Sequence, residues 1–485
     1  MIIFVYELRN QFFDRKMARE IQITTRKALE INLDARFYGS IAEIGGGQEV
    51  ARNFFQAGGA SGTIAKSISA YDMAYSDALY GKDKNERYVS QIRLRKMLDK
   101  EYEELIRILA DKKGNRTCFF VFANTVTTIN FHKSNESHGW LGMRFQLGYN
   151  EEPNEVVIHV KLLENDNLLQ QNTLGVIGIN LIYACFYFHD QPVDFLQSLM
   201  HDLDSDRIEI TMVNMKGPQL NYVDNRLLGV QLVKNGMAKA IMFNRYGEVY
   251  EPSDLLYNKN VLAFRGSFRP ITYLGFDMLK TSFGMFKKDE SYEKETTVAI
   301  CELTLNNLLE DGSLHERDFL DRVDILNGMG QSVMVSNFKE YYKLVSYFSQ
   351  FKIKNLRIVV SMHTFGYIID EDYYTHLKGG IIEAFGRLFL DNMKLYIYPS
   401  IDEETGELIT TANFKVPDKI KYLYLHLIEN RQILDIKNAK KSIITTYPHI
   451  VLNMIKNNEK GWERMVPKYI EDVIKNKKLF GYNES

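Results

Sequence analysis

The sequence predicts an α/β protein: mixed sheets with flanking helices, laid out as two α/β units with a helical C-terminal portion. Three observations predict it. Short runs rich in aromatic and β-branched residues alternate with longer amphipathic ones. A charged stretch near the middle interrupts that alternation, which then restarts. Past Pro417 the pattern is mostly helical. At 485 residues the chain is too long for one compact core and suits two or three domains.

The first 35 residues mix charges with scattered apolar positions and predict a helix or helical arm. Two glycine turns follow, Gly45 to Gly47 and Gly58 to Gly62, each ahead of a short periodic run. Val50, Phe54 and Phe55 share one helical face, and so do Ile64, Ile68 and Tyr71, so short helices are expected over 49–55 and 63–71. A longer helix over 88–110 carries an apolar stripe that includes Ile92, Leu98, Tyr102 and Leu105, and Gly114 ends it. Strands are expected over 118–126, 141–147 and 156–163. The apolar run 174–188 is shorter than the roughly 20 residues that span a bilayer and predicts a buried helix. A helix over 193–203, a strand over 208–215, a helix over 225–235 closed by Gly236 and a strand over 238–243 complete this half. Several neighbouring strands have no helix between them, which predicts a mixed sheet.

The stretch 284–296 is charged and poor in apolar residues, and predicts a linker between an N-terminal domain, 1–283, and a C-terminal one, 297–485. Beyond it, strands over 298–305, 332–336, 356–361 and 394–399 alternate with helices over 316–326, 338–351 and 372–391.

A formal charge of −2 leaves no electrostatic case for a general nucleic-acid or anionic-membrane partner. The three cysteines lie far apart inside apolar runs, so they read as core residues in a reducing, cytoplasmic setting. The N-terminus has no basic segment ahead of its apolar start and no small-residue cleavage site, so no signal peptide is expected.

The candidate chemistry centres on Gly58, Gly59, Ser61, Gly62, Thr63 and Lys66. A glycine turn opening a helix exposes unpaired N–H groups at the positive end of the helix dipole, which is what a phosphate requires. Lys66, one turn in, would add an ammonium. Gly62 precedes Lys66 by four positions, unlike a Walker A loop, and no strand–GxGxxG–helix unit is present. The alternative is a structural turn with a capped helix and a solvated lysine. Asp72 and Asp77 follow, either as metal or acid–base carboxylates or as caps and surface charges. His138 stands six residues after His132 with Glu136 between them, a pattern open to acid–base work that matches no zinc motif. Arg265 and Arg269 flank Gly266-Ser267 and would clamp a phosphate if their loop reached the glycine turn.

Several blocks together resemble a known family: AEIGGGQEVARNFF (42–55), GGASGTIAKSISAYDM (58–73), SDALYG (76–81), FVFANTV (120–126), HGWLGMRFQ (138–146) and GGIIEAFGRLF (379–389). It is a family of bacterial proteins of similar length from cyanobacteria and Bacteroidetes, and the likeness runs from about residue 36 to 481. Its members are often labelled nicotinamide or nicotinate mononucleotide adenylyltransferases, or TonB-dependent receptors. The chain lacks the alternating strands of an outer-membrane barrel. It also lacks the His-x-Gly-His element of the adenylyltransferases: His138-Gly139 is followed by Trp140. No catalytic residue is therefore carried over.

The resulting expectation is a cytoplasmic protein that binds or transforms a phosphorylated, nucleotide-like metabolite through the 58–67 loop, with Mg2+ accompanying a nucleotide and the chain self-associating as a homo-oligomer. The alternative is a non-catalytic, self-associating scaffold in which the glycines allow close backbone approach at a subunit contact. The 29 tyrosines and 29 phenylalanines suit interfaces and large cores alike.

Overall fold

In the computed structural model of the chain, residues 23–82, 88–310, 313–402 and 404–483 are described. The chain divides into two units, Met1–Asp224 and Asn225–Ser485.

The first unit is built on a six-stranded sheet with the order β2-β1-β3-β4-β5-β6. These strands are β1 (Phe37–Ile44), β2 (Ile64–Ser69), β3 (Cys118–Thr127), β4 (His138–Phe145), β5 (Asn154–Leu162) and β6 (Ile208–Lys216). β1 runs parallel to both β2 and β3, and the remaining pairs are antiparallel. The sheet is mixed, as expected. The helices are α1 (Thr24–Leu33), α2 (Glu49–Ala57), α3 (Met73–Tyr80), α4 (Gln91–Lys113), α5 (Asn167–Tyr187) and α6 (Pro192–Leu199).

Side-chain alternation assigns helices to the two faces of this sheet. Gly142, paired with Ala123, faces Leu94 and Leu98 of α4. Phe122, one residue along from Ala123, meets Gly178 of α5, which also receives Val50 of α2. So α4 covers one face, and α2 and α5 cover the other. The apolar run in α5 is buried through most of its length, because it lies between the sheet and α1, α2 and α6.

One expectation fails here, and one strand went unforeseen, each for a physical reason. The segment 63–71 is not a helix: residues 64–69 form the edge strand β2. Ile64 and Ile68 are four apart, a spacing that fits one helical turn and two strand pleats equally well. The segment 37–44 is a fully paired strand although its Gly-Ser and Ala-Glu steps carry weak strand propensity.

The second unit contains an eight-stranded sheet with the order β14-β13-β12-β9-β10-β11-β7-β8. Its strands are β7 (Ala240–Phe243), β8 (Val249–Tyr250), β9 (Asn260–Arg265), β10 (Thr297–Thr304), β11 (Ser332–Ser336), β12 (Asn355–Ser361), β13 (Met393–Tyr398) and β14 (Ile433–Asp435). The six strands β9 to β14 run parallel. They advance from β9 through β10 to β11, then return to the other side of β9 for β12, β13 and β14, which is a doubly wound order. The helices named below are α7 (Asn225–Lys234), α8 (Pro252–Leu256), α9 (Tyr273–Phe286), α10 (Glu316–Gly328), α11 (Tyr341–Ser349), α12 (Met362–Ile368), α13 (Gly380–Leu388), α14 (Lys421–Glu429), α15 (Pro448–Lys456) and α16 (Lys468–Lys477). The last three lie in the C-terminal portion, which also contributes the edge strand β14.

The stretch 284–296 is not a boundary between units. It joins α9 to β10 inside the second unit, and β9 before it pairs with β10 after it. Two of its charges have ion-pair partners: Glu293 pairs with Lys354, and Asp289 accepts two hydrogen bonds from Arg357, at 2.7 and 3.1 Å. Burial opposes ionisation of Asp289, yet those bonds and two from Ser291 bring its carboxyl down to about 2. The helix expected over 372–391 is confined to α13, after a short 3-10 turn at Glu371–Tyr374. Among the described residues no helix is long and apolar enough to cross a membrane.

Candidate functional site

In the first unit the chain leaves β1 at Ile44, turns through Gly45, Gly46, Gly47 and Gln48, and enters α2 at Glu49. Glycine is required at two of these positions. Gly45 has φ +86°, and a Cβ there would lie 1.9 Å from the carbonyl oxygen of Val126. A Cβ on Gly47 would fall 2.2 Å from Oδ1 of Asn124. The turn therefore lies directly against the end of β3. β1 is also where the sheet order reverses, since β2 is added on one side and β3 on the other. The carboxyl ends of strands at such a reversal form the crevice where open α/β sheets bind ligands.

Three side chains stand in a row beneath this turn. Glu43 on β1 is in register with Asn124 on β3 and with Ser69 on β2. Parallel partners point to the same face, here the face covered by α2. Asn124 is completely buried; its Nδ2 donates to the Gly47 carbonyl at 3.4 Å, and its Oδ1 has no hydrogen-bond partner among the described residues. Gln48 closes the outer side, with Nε2 donating to Ser69 Oγ at 3.1 Å and to the Gly45 carbonyl. Gln48, the residue before α2, makes no side-chain capping bond to it.

Glu43 is 2% exposed, and its Oε1 accepts only a long bond, 3.4 Å, from the Ala51 N–H. Burial pushes its carboxyl up to about 8; the Ala51 N–H opposes the shift and the charge of Glu49 adds to it. At neutral pH Glu43 is thus a protonated acid below the positive end of a helix. Such a group can donate a hydrogen bond or a proton.

The residues singled out in the sequence go elsewhere. Gly58 ends α2 instead of opening a helix, Gly59 is left-handed, and residues 60–62 form a 3-10 turn leading into β2. Asn32 seals this helix end, donating to the carbonyls of Phe54 at 2.9 Å and Gly58 at 2.7 Å, while Thr63 Oγ1 donates to the Asn32 carbonyl at 3.1 Å. A helix C-terminus carries partial negative charge, so Gly58, Gly59, Ser61, Gly62 and Thr63 form no anion cradle there. Lys66 is in register with Ser40 and so projects from the face opposite Glu43. It pairs with Glu101 and, at 2.5 Å, with Glu104, both on α4.

Asp72 caps α3, accepting from the Tyr75 N–H at 2.8 Å. Asp77 pairs with the buried Arg93. His138 lies opposite Thr127 and thus on the α4 face, away from Asn124. Its Nδ1 is 3.0 Å from Nε2 of His159, whose Nδ1 is 2.5 Å from Thr211 Oγ1. Burial holds His159 well below the ordinary histidine range. Among the described residues no group of three or more His, Cys, Asp or Glu side chains is placed to hold a metal ion.

Arg265 ends β9 and Arg269 follows it, at the point where the second sheet reverses between β9 and β12. That is the right end of the right strand, but both guanidinium groups are engaged. Arg265 makes a two-nitrogen fork to Glu302, each bond 2.9 Å, and its third nitrogen donates to the Lys339 carbonyl. Arg269 Nε lies 2.7 Å from Asp318, which also pairs with Arg322. They brace the loop as internal ion pairs.

No protein-family model matches the chain, and no curated protein is significantly similar to it. Solved structures give distant matches. The competence/damage-inducible protein CihA of Agrobacterium tumefaciens is 17% identical, with 28% of this chain and 78% of that chain covered and a TM-score of 0.20. The nicotinic acid mononucleotide adenylyltransferase of Plasmodium falciparum, complexed with APC, is 14% identical, with 46% and 98% covered and a TM-score of 0.28. Likeness at this level says nothing of ligand or reaction.

The sequence missed Glu43 and Asn124. Their signal was the Gly45–Gly47 run itself, which becomes informative once 37–44 is known to be a strand.

Proposed function

We propose that the chain binds or transforms a phosphorylated, nucleotide-like metabolite at the β1–α2 turn of the first unit. The phosphate would meet N–H groups at the start of α2, where the Ala51 N–H is held by Glu43 only through a long bond. Glu43, protonated at neutral pH, would donate to a phosphate or leaving-group oxygen as a general acid and recover its proton from solvent. Tyr71, two residues beyond Ser69 and 77% exposed, offers a flat face on which a base could stack. Where the ligand is a nucleotide, Mg2+ would arrive bound to its phosphates.

One observation carries this reading: the register row of Glu43 and Asn124 lies under a glycine turn at a sheet reversal. The test is calorimetric titration with adenosine monophosphate and with inorganic phosphate. Asn124→Ala and Glu43→Ala are expected to weaken binding about tenfold or more, as for loss of a buried hydrogen-bonding group. Lys66→Ala, on the opposite face, should leave it unchanged. Binding that is lost in Lys66→Ala and kept in Asn124→Ala would overturn the assignment.

A further inference from the structure

The second unit holds a cavity of about 430 Å³ that lies far along the strands from the β9–β12 reversal. Ala299 near the start of β10 and Gln331 just before β11 line it, so it opens at the amino ends of these parallel strands. One wall is a stripe of α9. Phe276, Leu279, Lys280 and Phe283 recur at helical spacing and face it together. Met329 and Ile470 complete the apolar lining. The volume falls within the range of small-molecule sites.

Three polar side chains, Lys280, Gln331 and Tyr469, interrupt the apolar surface, and the Tyr469 hydroxyl lies against Gly328. Gln331 Nε2 donates to the Met329 carbonyl at 3.1 Å, which fixes which way the amide points. Its Oε1 is buried and has no hydrogen-bond partner among the described residues. Lys280 stands on the α9 stripe at the exposed rim, and no carboxylate of the described residues pairs with it.

We propose that this cavity binds a small apolar anion, an aryl or acyl carboxylate or sulfonate. Its apolar body lies against Phe276, Leu279, Phe283 and Ile470, and its anionic group meets the Lys280 ammonium at the rim, beside the start of α16. The occupant differs in kind from the phosphorylated ligand of the first unit, because the body of this cavity is apolar, lined by Phe276, Leu279, Phe283, Met329 and Ile470.

The probe is 8-anilinonaphthalene-1-sulfonate, which combines aromatic rings, a sulfonate and an N–H. Titrated into the full chain and followed by fluorescence, it should saturate at one equivalent. Lys280→Glu, an exposed change, should weaken that binding about tenfold, and Lys280→Arg should retain it. Met329→Trp, which fills the cavity, should weaken it similarly while thermal unfolding stays cooperative. If Met329→Trp fails to fold, the Lys280 pair decides alone. Absence of saturable binding to the native chain, or equal binding to Lys280→Glu, would overturn the proposal.

Discussion

Glu43 and Asn124 are register partners on the parallel strands β1 and β3, side by side under the Gly45–Gly47 turn. One is a carboxyl held protonated by burial, and the other has an amide oxygen without a partner. An unsatisfied amide oxygen beside a buried carboxyl held by one long bond destabilises a fold, and such points gather where ligands act.

The first prediction concerns Glu43 and pH. Its carboxyl is raised from an ordinary value of 4.5 to about 8 in the folded chain. Between those values the folded state holds a proton that the unfolded state has released, so stability falls as pH rises through the window and then levels off. The total is on the order of a few kcal/mol. Glu43→Gln should therefore match the wild type in urea unfolding near pH 4 and exceed it at pH 9. A difference independent of pH would show that Glu43 is not perturbed.

Lys66 is expected to matter for stability and not for ligand. It neutralises Glu101, which is 1% exposed and also accepts from Tyr80 Oη at 2.9 Å. Lys66→Ala should cost about 1–2 kcal/mol, less than a fully buried pair because the lysine is partly exposed. Adding Glu101→Gln should restore part of that loss in a double-mutant cycle.

Arg265 carries a larger share. Its fork neutralises Glu302, which is fully buried and also accepts from Ser336 Oγ at 2.5 Å, and its guanidinium lies 4.4 Å from the Tyr341 ring centre. Arg265→Ala should destabilise the second unit by about 3–5 kcal/mol, because a buried carboxylate loses its partner. Arg265→Lys keeps the charge but not the fork, and should fall between the two in thermal unfolding.

The glycine turn gives a steric test. Gly45→Ala combines a left-handed backbone with a collision against the Val126 carbonyl, and should cost about 2 kcal/mol or more. Gly236→Ala has a similar φ, +70°, but meets nothing within 4 Å, so only the backbone cost of about 1 kcal/mol remains. Equal losses in urea unfolding would contradict the close approach at Gly45.

Much of the layout was legible in the chain. The buried α5, the long α4 and strands β3 to β6 follow from patterns many residues long, where apolar periodicity is unambiguous. The short elements were not. β1 mixes small and polar residues, and β2 shares its four-residue spacing with a helix. Missing both strands turned a helix-to-strand turn at Gly58 into an apparent helix start, and it moved the site from the first glycine turn to the second. The charged stretch 284–296 misled for a related reason: composition does not reveal that Asp289 has Arg357 as a partner.

The sequence by itself determined the α/β class and the long elements, because these depend on local periodicity and burial. Only the tertiary structure decided which glycine turn crowns a sheet reversal, that Lys66 and Glu43 point to opposite faces, and that both loop arginines are spent on internal carboxylates. Those facts depend on strand register and on pairs formed between residues as far apart as Glu43 and Asn124, which no local pattern encodes.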